Sequence, residues 1–137
     1  MNDRFEDLGK LLLRVTVGGL MLFHGISKVM HGVGPIEGML EAKGLPAAMA
    51  YGAYVGEIVA PLLLIVGFQT RIAALVLAFN MVTAIALAHP ADLGKLNAFG
   101  GWAVELQMFY LLGGLCIALI GAGRMALDAR RQASKAM

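Results

Sequence analysis

The chain has 137 residues, 59% of them apolar and 15% charged, with a mean hydropathy of +0.77 and a formal net charge of +2. Soluble domains carry about 45–50% apolar and about 25% charged residues, and an interior of this size is too small to hide the excess, so the composition points to a membrane protein. The small charge, grouped at segment ends, argues against nucleic-acid binding. One cysteine, Cys116, excludes an internal disulfide or a CxxC pair.

Bilayer hydrocarbon is ~30 Å thick and takes roughly 20 helical residues to cross. The first apolar stretch predicts a helix over about 8–30. Asp3, Glu6 and Asp7 spoil a basic leader and no small-residue cleavage site follows, so this stretch is expected to be retained. It carries Arg14, His24 and Lys28, which at ~100° per residue fall within a sector of about 80°. The segment HGVGPIEGMLEAKGLP, with four glycines and two prolines, predicts a loop. A second helix follows over about 47–67 and holds Glu57 near mid-span. A carboxylate there costs at least ~2.5 kcal/mol by insertion scales, so it calls for a partner, a cavity or a ligand. Pro61, four residues on, removes the hydrogen bond that the Glu57 carbonyl would accept, which predicts a polar notch.

Gly67-Phe68-Gln69-Thr70 is a short link to a third helix over about 71–89, and so forces a hairpin. That helix carries Asn80 and Thr83 as interhelical hydrogen-bond formers and ends at His89. HPADLGKLNAFGG, with Pro90 and three glycines, is a second loop. A fourth helix over about 103–122 opens with Trp102, an interfacial anchor, and Glu105. Cys116 reads as a small core residue. Ala48, Gly52, Gly56 and Ala60 form a small-residue stripe, for a neighbouring helix or for a homodimer. The basic tail, 123–137, reads as a solvated end attracted to lipid headgroups.

The fold class expected is therefore all-α: residues 1–137 as a single membrane domain, an antiparallel four-helix transmembrane bundle. Arg4, Lys10, Arg14, Arg71, Arg124, Arg130, Arg131 and Lys135 would share one side, against Lys28, Lys43 and Lys95 on the other. Eight against three places both termini in the cytoplasm. That topology gathers His24, Lys28, Glu57, His89 and Glu105 in the outer half as candidate ligand-binding residues. Arg14, Lys28 and Glu57 are the candidates for a structural ion pair. The set suits a small amphipathic ligand such as a quinone head, with carbonyls to polarise and protons to move. It suits a metal less well, since no HxxH, ExxH or HxxxH spacing concentrates the ligands. No GxGxxG, P-loop or nucleophile elbow is present.

LLLRVTVGGLMLFHGISKV, AKGLP and YVGEIVAPLLLIVGFQTRIAALVLAFNM, followed by His89 and the Glu105 region, resemble the DoxX family of small four-span membrane proteins over residues 8–125. The order Arg–HG–K–GLP–E–TR–H–E carries the resemblance. It implies an integral membrane protein of a bacterial inner (plasma) membrane; some members are associated with thiosulfate–quinone oxidoreduction, others with complexes linked to thiol and oxidative stress. Three functions stay open. One is a quinone-binding subunit of an oxidoreductase system that needs a soluble or membrane redox partner. The second is a non-enzymatic assembly protein whose charged layer is interhelical glue, and the third a small dimeric transporter.

Overall fold

The structure is a computed structural model that describes residues 3–129 and Ser134. Every regular element among the described residues is a helix, and one isolated bridge, Leu96 with Trp102, closes a loop. α1 is Asp3–His31, starting before the expected residue 8. Asp3 and Glu6 occupy its first turn, where carboxylates complement the helix dipole, and Glu6 pairs with Lys10 at 2.7 Å.

The first loop is not wholly irregular. α2, Gly34–Glu41, forms within it, with Pro35 in its first turn and Leu40 buried against Val33 and Ala50. α3 spans Ala47–Val66 and is wound unevenly. It is 3₁₀ over Ala47–Tyr51, widens to π over Val55–Val59, and returns to α over Ala60–Val66. It ends at Gly67, whose φ of 72° lets Phe68 N–H donate to the Leu63 carbonyl at 3.0 Å. α4 is Thr70–Ala88 and α5 is Glu105–Ile120. α1, α3 and α4 are each long and apolar enough to cross a membrane, and α5, with 16 residues, is shorter.

The packing is that of helices in lipid. The core is built largely of Ala, Gly and a few mid-sized side chains, including Ala60, Ala73, Ala74, Leu64, Leu77 and Met81. The large side chains of Leu12, Phe23, Phe79, Phe109 and Leu119 point outward. Lipid gives helices no hydrophobic reason to associate, so close backbone approach supplies the contact. Gly18 is one such point: a Cβ there would lie 2.8 Å from the Pro61 carbonyl of α3. The predicted stripe on α3 splits, because the 3₁₀ and π turns break the 100° register: Gly56 and Ala60 are buried, Ala48 and Gly52 exposed. Cys116 is exposed rather than in the core. Tyr110, Gly114 and Ile117 form the buried stripe of α5, and Cys116 falls about 100° or more away.

The chain after α5 also departs from expectation. Residues 124–129 dock beneath the α3–α4 turn instead of standing free, with Ala126 buried. The Asp128 carboxylate accepts from the Gln69 and Thr70 N–H groups, both at 2.9 Å, and from Thr70 Oγ1 at 2.8 Å. These are the N-cap and first-residue amides of α4, which its own helix leaves without acceptors. Arg130, Arg131 and Lys135, which entered the orientation argument, lie outside the described residues.

Candidate functional site

Three helices bring a polar cluster together inside the apolar body. α1 comes close to α3 at Gly25, where a Cβ would strike the Glu57 carbonyl and the Ile58 side chain. Three residues on, Lys28 Nζ donates to Glu57 Oε2 at 2.6 Å. The other carboxylate oxygen accepts from Asn80 Nδ2 of α4 at 3.3 Å. Asn80 reaches it by lying across Gly56, where a side chain would fill the space of its amide. Tyr54 Oη donates to the Lys28 carbonyl at 3.1 Å and holds the end of α1 in register.

Glu57 is 5% exposed, and it sits in the π turn. There the Ala60 N–H reaches back five residues to the Val55 carbonyl. The next donor in line is residue 61, a proline without an N–H. The notch that Pro61 predicts is thus a widened turn, a form that recurs at functional sites.

Beside the cluster lies a cavity of about 600 Å³ between α3, α4 and α2. Lys28, Glu57 and Asn80 contribute to its wall; Leu40, Ala53, Val76 and Leu87 make much of the rest apolar. Lys28 and Asn80 keep unused hydrogens: an ammonium has three and an amide NH₂ two, and Glu57 takes one from each. The site offers surplus donors on a charge-balanced base.

The other candidates stand elsewhere. His24 is exposed and packs edge-on to Tyr110 of α5, with ring centroids 5.8 Å apart. Lys28 faces α3 and His24 faces α5, so an 80° sector on α1 covers two clefts. His89 Nδ1 is 3.0 Å from Asp92 Oδ2 in the α4–α5 loop. There, hydrogen bonds from His89 and then Lys95 hold the Asp92 carboxyl below its ordinary range. Glu105 is exposed, its carboxylate folded over Gly101. Among the described residues no hydrogen bond or ion pair links these three to Glu57. Nor do three or more His, Cys, Asp or Glu side chains converge as metal ligands among them.

Arg14 does not join Glu57. Its Nη1 donates to the Leu64 carbonyl at 2.8 Å and its Nη2 to that of Met125 at 2.9 Å, fastening the end of α3 to the docked segment. Asn80 is the member of the cluster that the sequence places only as an interhelical bonder; a lone amide in an apolar helix was the signal.

The DoxX family model matches residues 9–90, more than half of the chain. The chain belongs to the DoxX family. The match covers Arg14, Lys28, Glu57 and Asn80 and stops short of Glu105. This DoxX protein is 34% identical over 128 residues to the Bacillus subtilis (strain 168) protein named "Putative oxidoreductase CatD", covering 93% of this chain and 90% of that one. An uncharacterized membrane protein of Mycobacterium tuberculosis is 36% identical over 131 residues, covering 88% of this chain and 79% of the relative. An uncharacterized protein of Haemophilus influenzae is 37% identical over 129 residues, at 92% of both chains. No solved structure matches. As a DoxX membrane protein, the chain presents its outward apolar faces to a lipid bilayer.

Proposed function

We propose that this DoxX protein is a binding module of a membrane oxidoreductase system, holding a small amphipathic molecule with a quinone-like head at Lys28, Glu57 and Asn80. The observation that carries it is a charge-balanced cluster around the buried Glu57, with spare N–H donors on the part-buried Lys28 and Asn80, on the wall of a cavity of about 600 Å³. Cavities of ~300–1,000 Å³ with apolar walls and a few placed polar groups are the usual form of small-molecule sites. The relative named as an oxidoreductase agrees with a redox setting.

The donor set fits a quinone head, which is neutral, flat and needs hydrogen bonds at its two carbonyls. When bound, such a head supplies a couple of two electrons and two protons. The chain's own part is binding and proton handling. Lys28 Nζ and Asn80 Nδ2 orient a carbonyl, and Glu57 holds a proton or gives it up at Oε2, beside the ammonium. His24, His89 and Glu105 line no part of this cavity and take no part in this reading. Electrons come from a partner, soluble or membrane-bound.

In the membrane, the same reading has four spans in an antiparallel bundle, with both termini on the cytoplasmic side of a bacterial inner membrane. The basic residues near the chain ends and Arg71 support that orientation. A second reading has its own observation: Lys28, Tyr54 and Gly25 weld α1 to α3, as expected of an assembly protein whose polar layer is glue.

Glu57→Gln separates the two. As part of a binding site it should empty the purified protein of quinone, seen by extraction, absorbance and mass spectrometry, whatever it does to the detergent melting temperature. As glue alone it should lower that temperature, with no small molecule to lose.

A further inference from the structure

We infer that the cavity opens sideways into the hydrocarbon between α3 and α4, so that its guest is a single-chain amphiphile. The neutral carbonyl-bearing head would rest on Lys28 and Asn80, and its apolar chain would leave between Val55 and Phe79. This deepens the binding role proposed above and rests on it.

The position of the rim carries the inference. Ala50, Ala53, Gly56 and Glu57, deep in the wall, are buried, whereas Met49, Gly52, Val55, Phe79 and Ala88 line the same cavity and are exposed, Val55 by 49% and Phe79 by 72%. The opening therefore runs from the helix ends at Met49 and Ala88 down the flank to Val55 and Phe79. Residues that are both lining and exposed mark where the hollow meets its surroundings. Val55 lies eight residues into α3 from Ala47, and Phe79 nine residues before the end of α4 at Ala88. At 1.5 Å per residue both stand ~12–14 Å below the helix ends, within one leaflet's share of a ~30 Å hydrocarbon layer. α2 covers the hollow from the loop side with Leu40 and Ile36, so the route from water is partly roofed and the flank is open.

The polar floor sets the head's chemistry. Lys28 and Glu57 already balance each other, so a charged head would add an unpaired charge to a low-dielectric place. Lys28 and Asn80 carry more hydrogens than Glu57 accepts from them, which suits a carbonyl oxygen. A chain in the rim exchanges lipid contacts for Val55 and Phe79 contacts at little cost, so the flank admits a tail without having to attract it.

The test uses the full chain in lipid nanodiscs and two probes, the ubiquinone ring without a tail and the same ring with a decyl chain. A third form carries a diazirine at the chain's end. Both probes should bind the wild type, and the diazirine should label α3 and α4 around Val55 and Phe79, blocked by excess decyl probe. Two variants narrow the rim: Val55→Trp, and Gly52→Phe, at whose position an added Cβ meets no protein atom within 4 Å. Each should weaken the decyl probe by about tenfold or more, as overfilling does, and leave the tail-less ring within about twofold.

Labels elsewhere, or equal binding of both probes to the rim variants, would overturn the sideways route while the binding role stands. A cavity that yields only phospholipid, not displaced by the decyl probe, would overturn it too. If neither probe binds the wild type, both the route and the binding role fail.

Discussion

Arg14 and Lys28 lie on one helix, ~21 Å apart at 1.5 Å per residue, and are handled in opposite ways. Arg14 is fully buried and gives its fork to main-chain carbonyls of α3 and the docked segment. Lys28 gives one hydrogen to a side-chain carboxylate on the wall of a hollow and keeps two. A cation held by backbone is fixed by the fold, and Arg14, though its Nε makes no hydrogen bond, is fully buried and lines no part of the hollow. A cation held by another side chain can exchange partners. The difference separates a weld from a candidate site, although both look alike as charges in an apolar helix.

The contrast can be broken most strongly at the weld. Arg14→Leu leaves the Met125 carbonyl without that donor, at roughly 1–3 kcal/mol, and the Leu64 carbonyl with the Gly67 N–H alone at 3.2 Å. The largest drop in detergent melting temperature is expected here, with protease access to the segment after Gly121 rising in parallel. A loss smaller than that of any site variant would dissolve the distinction.

Lys28→Met comes next. It strands Glu57; breaking a fully buried pair typically costs ~3–5 kcal/mol, and with Lys28 26% exposed the loss should fall below that. The double variant Lys28→Met with Glu57→Leu should recover much of that stability, yet stay empty of quinone. A double-mutant cycle by denaturant titration measures the coupling. Full recovery with the small molecule retained would remove Lys28 and Glu57 from the site.

Asp128→Ala sharpens the picture of the docked segment. It removes the acceptor for two amides and one hydroxyl at the start of α4, a capping loss of about 0.5–2 kcal/mol. Hydrogen exchange should quicken at Gln69 and Thr70 first, with quinone content unchanged.

The smallest effect is a pH response of the α4–α5 loop. The Asp92 carboxyl is held low by hydrogen bonds from His89 and Lys95, so its contribution is present above the unfolded value near ~3.9 and fades as pH falls through the lower folded value. Trp102 is the one tryptophan, and its indole N–H donates to the Leu93 carbonyl at 2.8 Å in that loop. Its emission should hold steady down to about pH 4 and shift only below. Asp92→Asn should abolish the shift.

The long helices were legible because a run of apolar residues has only one economical conformation in lipid, and their ends fell within a few residues of Gly67 and Gly121. α1 began earlier because charged first turns hide from a hydropathy reading. α2 and the docked segment were not legible. Asp128 finds its partners 58 or 59 residues back along the chain, and no local pattern announces such a cap. Within the candidate site, Lys28 and Glu57 were visible as charges out of place, and Pro61 as a break in the ladder. What periodicity could not settle is which neighbour each face meets. His24 shares a sector with Lys28 yet turns to Tyr110, and Asn80 becomes a partner of Glu57 only because Gly56 leaves room.

The widened turn at Val55–Val59 has a consequence for how this chain tolerates change in length. Such a turn is an α-helix carrying one surplus residue. Removing that residue would let the helix rewind regularly with both halves close to their present phase, because the wide turn is what absorbs it; what would go is the place Glu57 holds in it. A deletion in the regular turns of Ala60–Val66 has no such slack and would swing the two halves by about 100° relative to each other, taking Tyr54 away from Lys28. The same loss of one residue is therefore absorbed on one side of Pro61 and disruptive on the other.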